Sequence, residues 1–415
     1  KVDADLRAAF RMTLKFLGGE NCGFVFYILQ MTSRLDHNYW MARALTLARR
    51  GEGLTRPNPP VGAMIVRGCH MVGQGWHHHS GGLHAEALAI QDAGARARNA
   101  TLYVTLEPCC TQGRTPPCTR AIIQSGIRRV VLAARDPNPR HNGRGIAILH
   151  KAGLEVMEGV GAVEARQLIT PFKQWIRTLR PYVTLKLAVS LDGKIADERG
   201  RSRWITGPAA RRQVQAWRRS ADAILVGART VLADDPSLLP KPSGGRRPWR
   251  VIVDTRGTLA SSAKIFTDGH PAQTIIATTR RCPARRQTAW RSTGAQVWVL
   301  PESQGGVSLT ALMKKLGRLG CLHVLCEGGG NLSASLIRAG LVNEFRFLIA
   351  PCIIGGGKAP GAVGGVGWPL SAAPKLIFTE CRRMGPDLLI TAIPRQRKEI
   401  SKHPTSNIEH RTSNV

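Results

Sequence analysis

Hydrophobic positions along the chain switch between helical and strand periods, and the switching outlines a series of elements. From Tyr39, the apolar residues Tyr39, Met41, Ala42, Leu45, Leu47 and Ala48 recur at helical spacing until Gly51 stops the helix. The rigid turn Arg56-Pro-Asn-Pro-Pro leads into Val61-Gly-Ala-Met-Ile-Val-Arg67, which reads as a buried strand, with Met71–Trp76 as the return strand of a hairpin. A helix is predicted from His84 to Ala93, a strand at Leu102–Leu106, a helix at Thr119–Ser125 and a strand at Arg129–Ala134. A small unit over 143–159 and a helix from Val163 to Arg177 follow. After Arg180-Pro181, the β-branched run Tyr182–Ala188 opens a second series. It contains a helix carrying Ala210, Val214 and Trp217 on one face, and strands at Ala223–Val226, Arg250–Asp254, Gln273–Ala277, Gln296–Leu300 and His323–Cys326. A turn at Gly227–Thr230 and a helix at Leu332–Ala339 belong to the same series. Strands alternating with helices predict α/β layers in which sheets are covered by helices.

The pattern divides the chain into a first domain over 36–180 and a second over 181–394. Residues 1–35 fit neither series and are expected to be an upstream extension of low order. The polar, charged stretch 395–415 is expected to be a disordered tail. A length of 415 residues lets each domain bury its own core. The formal charge of +32 invites polyanions. It changes the picture little, because basic residues occur in every segment rather than in one stripe, and a small phosphorylated substrate needs only a few of them. Ten cysteines without framework spacing indicate a reducing compartment, and so the cytoplasm. No run reaches the ~18 apolar residues of a membrane span, and Cys22–Met31 is too short and lacks a cleavage motif. Neither a membrane nor a nucleic acid is an expected partner; a homo-oligomer is.

The candidate chemistry lies in His84-Ala-Glu86, Glu107-Pro-Cys-Cys110 and Pro116-Pro-Cys118. One imidazole and two thiolates fill three corners of a tetrahedral zinc site and leave the fourth for water, which marks a catalytic rather than a structural centre. His84, Cys109 and Cys118 are the expected ligands. Cys110 is the alternative to Cys109, which is favoured because it directly follows Glu107-Pro108. Glu86 is the expected catalytic acid/base, since a carboxylate two residues from a ligand can move a proton from water to a leaving amine. H-x-E followed by P-C-x-x-C is the signature of zinc nucleobase deaminases. Here eight residues, rather than two, separate Cys109 from Cys118. The run His77-His78-His79 rivals this site for metal, but three consecutive side chains do not converge easily on one ion. They read as loop histidines, with His77 in reach of substrate. In the second domain, Glu327-Gly-Gly-Gly-Asn331 lies between a strand and a helix, where backbone N–H groups can approach a phosphate.

Taken together, His84-Ala-Glu86, Thr105-Leu-Glu-Pro-Cys109, Gly113-Arg-Thr-Pro-Pro-Cys118 and Asp136-Pro-Asn-Pro139 resemble the deaminase half of the bifunctional deaminase/reductase family of riboflavin biosynthesis, in which the stretched cysteine spacing is itself the pattern. Leu191-Asp-Gly-Lys194, Ser202 with Trp204, Thr230 with Asp234-Asp-Pro236, and Glu327-Gly-Gly-Gly330 are similar to its reductase half. The resemblance covers roughly residues 38–393. It implies an N-terminal cytidine-deaminase-like three-layer domain followed by a dihydrofolate-reductase-like α/β domain. It also implies zinc and NADPH as cofactors and a phosphorylated pyrimidine as substrate, deaminated first and then reduced from ribosyl to ribityl. Asn58, Arg114, Asp136 and Asn138 would line the pyrimidine and ribose-phosphate pocket. Trp204, Thr230, Asp234, Thr255 and the run Gly329, Gly330, Asn331, Leu332, Ser333, Ala334 and Ser335 would face NADPH. Ser202, Arg218, Leu238, Lys241 and Glu327 would face substrate in the reductase half. Lys241 stands where the family often has Arg, which keeps the charge without the bidentate fork. The alternative is a tRNA-type nucleic-acid deaminase with an accessory domain.

Overall fold

The computed structural model describes residues 37–241 and 246–395, so the expectations for 1–35 and for the tail beyond Arg395 lie outside the described residues. The first domain runs α1 (37–49), β1 (Gly62–Arg67), β2 (His70–Trp76), α2 (Ala85–Ala93), β3 (Thr101–Val104), α3 (Cys118–Gln124), β4 (Arg129–Leu132), α4 (Arg144–Lys151), β5 (Glu155–Glu158), α5 (Ala162–Leu168) and α6 (Thr170–Thr178). Its sheet has the order β2-β1-β3-β4-β5, with β1 antiparallel to both neighbours and β3, β4 and β5 mutually parallel. Alternate residues of β1 feed different layers. Ala63 and Ile65 pack on one face with Ala85, Ala89 and Ile122, while Met64 and Val66 pack on the other with Met41, Leu45 and Ala48. Helices therefore cover both faces of the sheet, and its inner strands are apolar on both sides.

Two expectations for this domain change. Tyr39 and Ala42 point outward, and Trp40 and Ala44 take their places in the core. The helix expected from Val163 to Arg177 breaks at Ile169 into α5 and α6. Pro171 sits in the first turn of α6, where its missing N–H costs nothing, so a new helix begins there rather than the old one continuing.

The second domain runs β6 (Tyr182–Ser190), α7 (Pro208–Ser220), β7 (Ala223–Gly227), α8 (Ala228–Asp234), β8 (Trp249–Val253), α9 (Lys264–Thr267), β9 (Thr274–Thr278), α10 (Ala284–Ser292), β10 (Gln296–Val299), the short pair β11 (Glu302–Ser303) and β12 (Gly306–Val307), α11 (Leu309–Arg318), β13 (His323–Cys326), α12 (Gly330–Arg338), β14 (Glu344–Ala350), β15 (Leu376–Met384) and β16 (Asp387–Pro394). The nine-stranded order is β10-β9-β8-β7-β13-β6-β14-β16-β15. The first seven strands are parallel, and the β15–β16 hairpin adds two antiparallel strands at one edge. The expected turn at Gly227–Thr230 is instead the start of α8, with Gly227 as its N-cap. Ala210, Val214 and Trp217 are buried on one face of α7, as their spacing predicts. Among the described residues, no helix is long and apolar enough to cross a membrane.

The domains touch through the loop after α1 and the end of α6. Arg56 Nη1 donates to Asp222 O at 2.7 Å, and Trp175 Nε1 donates to Gly317 O at 2.8 Å.

Candidate active sites

Helix α2 lies directly against β2. A Cβ at Gly75 would stand 2.5 Å from Ala85 O, and one at Gly73 would stand 2.4 Å from Ala89 O. This close approach, which only glycine permits, fixes the first turn of α2, where His84 is the N-cap and Glu86 is the first acidic residue. Cys109 follows β3 on the neighbouring loop, and Cys118 is the first residue of α3. His84 Nδ1 is 3.6 Å from Cys109 Sγ and 3.3 Å from Cys118 Sγ. Zn–S bonds of about 2.3 Å and Zn–N bonds of about 2.0–2.1 Å at a tetrahedral angle require N···S edges of roughly 3.5 Å, so the three atoms fit the ion. Among the described residues, these three are the His/Cys/Asp/Glu group whose ligand atoms come together closely enough to hold a metal.

The electrostatics follow from the packing. Cys109 is held down to about 4 by hydrogen bonds from Cys118, including the Cys118 N–H at 3.3 Å, and by His84. Burial, and then the Cys109 sulfur, push the Glu86 carboxyl up to about 7. Glu86 is only 3% exposed and lines a cavity of ≈ 230 Å³ beside His84 and Cys109.

Asn58, Asp136 and Asn138 line the same cavity, whereas Arg114 does not; its Nη1 reaches Ser80 Oγ on the neighbouring loop. The histidine run splits. His77 is 2% exposed, with Nδ1 3.0 Å from Leu83 O, and its Nε2 accepts from Asn58 Nδ2 at 3.1 Å. Burial lowers its pKa and keeps the ring neutral. His78 packs on Trp76, and His79 turns to Ser80 O. Burial pushes the Asp136 carboxyl up to about 6.

The sequence reading missed the role of Glu107. Its two oxygens accept from the N–H groups of Asp136, Gly143, Gly145 and Ile146, pinning the turn that carries Asp136 and Asn138 to the cysteine loop. It also missed His141, Phe172, Trp175 and Ile176 in the cavity wall.

In the second domain, a cleft of ≈ 1910 Å³ opens at the carboxyl ends of the parallel strands, the usual ligand position in open α/β sheets. Thr230, Asp234, Thr255, Gly329, Gly330, Asn331, Leu332 and Ser335 line it, with Trp204 70% exposed at the rim. Ser333 and Ala334 do not line it. They lie on the inner face of α12, and the Ser333 hydroxyl donates to Gly329 O at 3.2 Å. Ser202, Arg218, Leu238, Lys241 and Glu327 line the cleft as well. Ser202 Oγ donates to Asp234 Oδ1 at 3.3 Å, joining an expected substrate residue to an expected cofactor residue. Leu238 is buried at φ 62°, a left-handed conformation that leucine rarely adopts and that functional sites often hold. Arg218 grips Glu327 with two hydrogen bonds of 2.6 and 3.0 Å. Lys186, absent from the sequence reading, stands beside this pair on the cleft wall with Nζ 3.8 Å from Glu327 Oε2 and 15% of its side chain exposed. Burial lowers its pKa. The signal for it was a lone charge in a strand that is apolar on either side.

Comparison with known proteins matches both halves. Residues 34–134 match the zinc-binding region of cytidine and deoxycytidylate deaminases, and residues 181–390 match the RibD C-terminal domain. The riboflavin biosynthesis protein RibD of Bacillus amyloliquefaciens is 44% identical over 363 residues, covering 87% of this chain and 97% of that protein. The Escherichia coli K12 protein of the same name is 40% identical over 370 residues, covering 86% and 99%. The solved diaminohydroxyphosphoribosylaminopyrimidine deaminase/5-amino-6-(5-phosphoribosylamino)uracil reductase of Thermotoga maritima superposes with a TM-score of 0.77 at 34% identity, covering 88% of this chain and all of that one. The chain belongs to the RibD family of bifunctional riboflavin-pathway enzymes, with a zinc-type deaminase in its first domain and an NADPH-dependent reductase in its second.

Proposed function

We propose the following division of labour for the two reactions, deamination of 2,5-diamino-6-ribosylamino-4(3H)-pyrimidinone 5′-phosphate and reduction of its ribosyl group to ribityl. The observation that carries it is the convergence of His84 Nδ1 and the Cys109 and Cys118 sulfurs beside the buried Glu86 carboxyl. Held by these three atoms, zinc supplies the Lewis acidity that makes water nucleophilic near neutral pH. Glu86, buried in the cavity wall beside the ligand atoms, would take a proton from the attacking water and pass it to the departing amine. The cavity falls below the ~300–1,000 Å³ that encloses a drug-sized ligand, so it holds the pyrimidine and leaves the ribose phosphate at the rim. Asn58, Asp136 and Asn138 grip the base, and Arg114 takes the phosphate outside.

In the second domain, NADPH supplies the hydride. Trp204, Thr230, Asp234, Thr255 and the turn from Gly329 through Leu332 to Ser335 hold the cofactor. Ser202, Arg218, Leu238, Lys241 and Glu327 hold the substrate. Ser333 and Ala334 support α12 from behind. Hydride delivery to C1 needs one proton to complete the reduction, and Lys186, kept beside Glu327, donates it. A nucleic-acid deaminase would account for the first domain alone and leave the ≈ 1910 Å³ cleft without use. None of the described cysteines is in a disulfide, which suits a reducing compartment such as the cytoplasm. We also read the chain as a homo-oligomer, because the edge strand β15 exposes Ile377 and Phe378 along with an unpaired backbone edge.

Two variants test this division. Glu86→Gln should lower ammonia release by about 10²–10⁴-fold while zinc stays bound and NADPH oxidation on pre-deaminated substrate persists. Lys186→Met should do the reverse. Loss of both activities in either folded variant would sink the two-site assignment.

A further inference from the structure

Two segments that wall the deaminase cavity are held from the other domain. The loop 54–58 ends at Asn58, whose side chain meets His77 in the cavity. Two residues earlier, Arg56 leaves the first domain altogether. Its Nη1 donates to Asp222 O at 2.7 Å and lies 3.7 Å from Asp222 Oδ1, with both side chains at 6% exposure or less. The Trp249 ring lies against the same guanidinium, and Arg246 Nη1 reaches the carbonyls of Leu54 and Arg56. Thr55 closes the turn by donating to Asn58 O at 2.9 Å. On the opposite wall, Trp175 is tied to Gly317 O.

Asp222 immediately precedes β7, at the opposite end of that strand from Gly227, which lines the reductase cleft. Its Oδ2 accepts from Leu322 N and His323 N at 2.8 and 3.1 Å, while Oδ1 makes no hydrogen bond and lies 3.7 Å from the Arg56 guanidinium, with the Arg246 charge also acting on the carboxylate. Two backbone donors fix the Asp222 side chain, and the buried guanidinium is hydrogen-bonded to the Asp222 main-chain carbonyl with the carboxylate charge facing it, so both hold it in place. The turn 55–58 therefore takes its position from the second domain.

We propose that Asp222, a residue of the reductase domain, is a positioning residue for the deaminase: through Arg56 and the turn 55–58 it sets Asn58 against the substrate pyrimidine. The inference rests on the reading of Asn58 as a substrate contact. Asp222→Asn keeps an oxygen for the two backbone donors and turns an NH2 toward the guanidinium, so it removes the negative charge that faces Arg56 and loosens its hold, while the bond to Asp222 O and the junction of β7 and β13 remain.

The test is steady-state ammonia release by the full chain with zinc bound, for Asp222→Asn, Asn58→Ala and the double variant. Asp222→Asn and Asn58→Ala should each raise KM for the pyrimidine phosphate about tenfold with kcat within about twofold, the loss of one ground-state contact. The double variant should show no further rise, because both changes remove the same contact. Zinc content and NADPH oxidation on pre-deaminated substrate should stay at wild-type values. An unchanged KM in Asp222→Asn, KM factors that multiply in the double variant, or a parallel fall in NADPH oxidation would overturn the proposal. If Asp222→Asn does not fold, Arg56→Gln is judged by the same values. An unchanged KM in Asn58→Ala would remove Asn58 from the substrate pocket and overturn the underlying site reading instead.

Discussion

His323 enters β13 with its Nε2 2.9 Å from Thr184 Oγ1, and that hydroxyl donates to Glu344 Oε2 at 3.0 Å. The hydroxyl has one hydrogen, so the imidazole Nε2 carries the other. Burial, and then the Arg346 charge, hold the pKa of His323 down to about 3 from its ordinary 6.5. Below pH 6.5 the unfolded chain takes up this proton and the folded chain does not, so His323 draws stability down as pH falls through that window and is neutral in effect above it. Between pH 7 and pH 5 the effect is about 1–2 kcal/mol. His323→Gln should shrink the drop in urea midpoint between those two pH values, and an equal drop in both proteins would mean that His323 protonates inside the fold. Residues were legible in the sequence to the extent that their chemistry dictates their company. Zinc demands named atoms in a fixed geometry, so His84, Cys109 and Cys118, with Cys110 as the alternative to Cys109, and Glu86 beside them could be proposed from type and order, and the structure brings the His84, Cys109 and Cys118 atoms together. The reductase residues came only through resemblance, because Thr230 or Leu238 has no chemistry that forces a place. Glu107 looked like part of a motif, although it works through four backbone N–H groups that no sequence displays.

The same distinction holds for elements. Strands buried on both faces, such as β1 and β7, show themselves as apolar runs, and α7 shows its core stripe. Strand β15 has no such signal, because seven consecutive residues from Ile377 to Arg383 are exposed, and the β15–β16 hairpin was not legible. Its exposure is also where an oligomer would form. Phe378 is 74% exposed on an edge strand hydrogen-bonded on one side only. Such an edge invites a second strand, and a lysine on it is the usual deterrent. Light scattering should give a mass that is a multiple of 45.1 kDa, and Phe378→Lys should lower it toward the single chain. A wild-type mass of one chain at micromolar concentration would rule the oligomer out. The break between α5 and α6 was hidden differently, since Pro171 is compatible with either a continuing helix or a new first turn until its neighbours are placed.

At the scale of the whole molecule, the parallel sheet has a direction, and the two domains use its opposite rims. Asp222 and Trp249, at the amino ends of β7 and β8, meet the deaminase domain, whereas Gly227, Thr255 and Gly328, at the carboxyl ends of β7, β8 and β13, open onto the cofactor cleft. A five-residue strand such as β7 spans roughly 17 Å, so the sheet itself stands between the two chemistries. The two sites share no lining residue, so within one chain the deaminated product is expected to pass from one to the other through the surrounding water. Two crippled populations should consequently heal each other: a mixture of Glu86→Gln and Lys186→Met chains should complete the conversion that neither performs alone, whereas a mixture that stays inert would reveal a private route between the mouths.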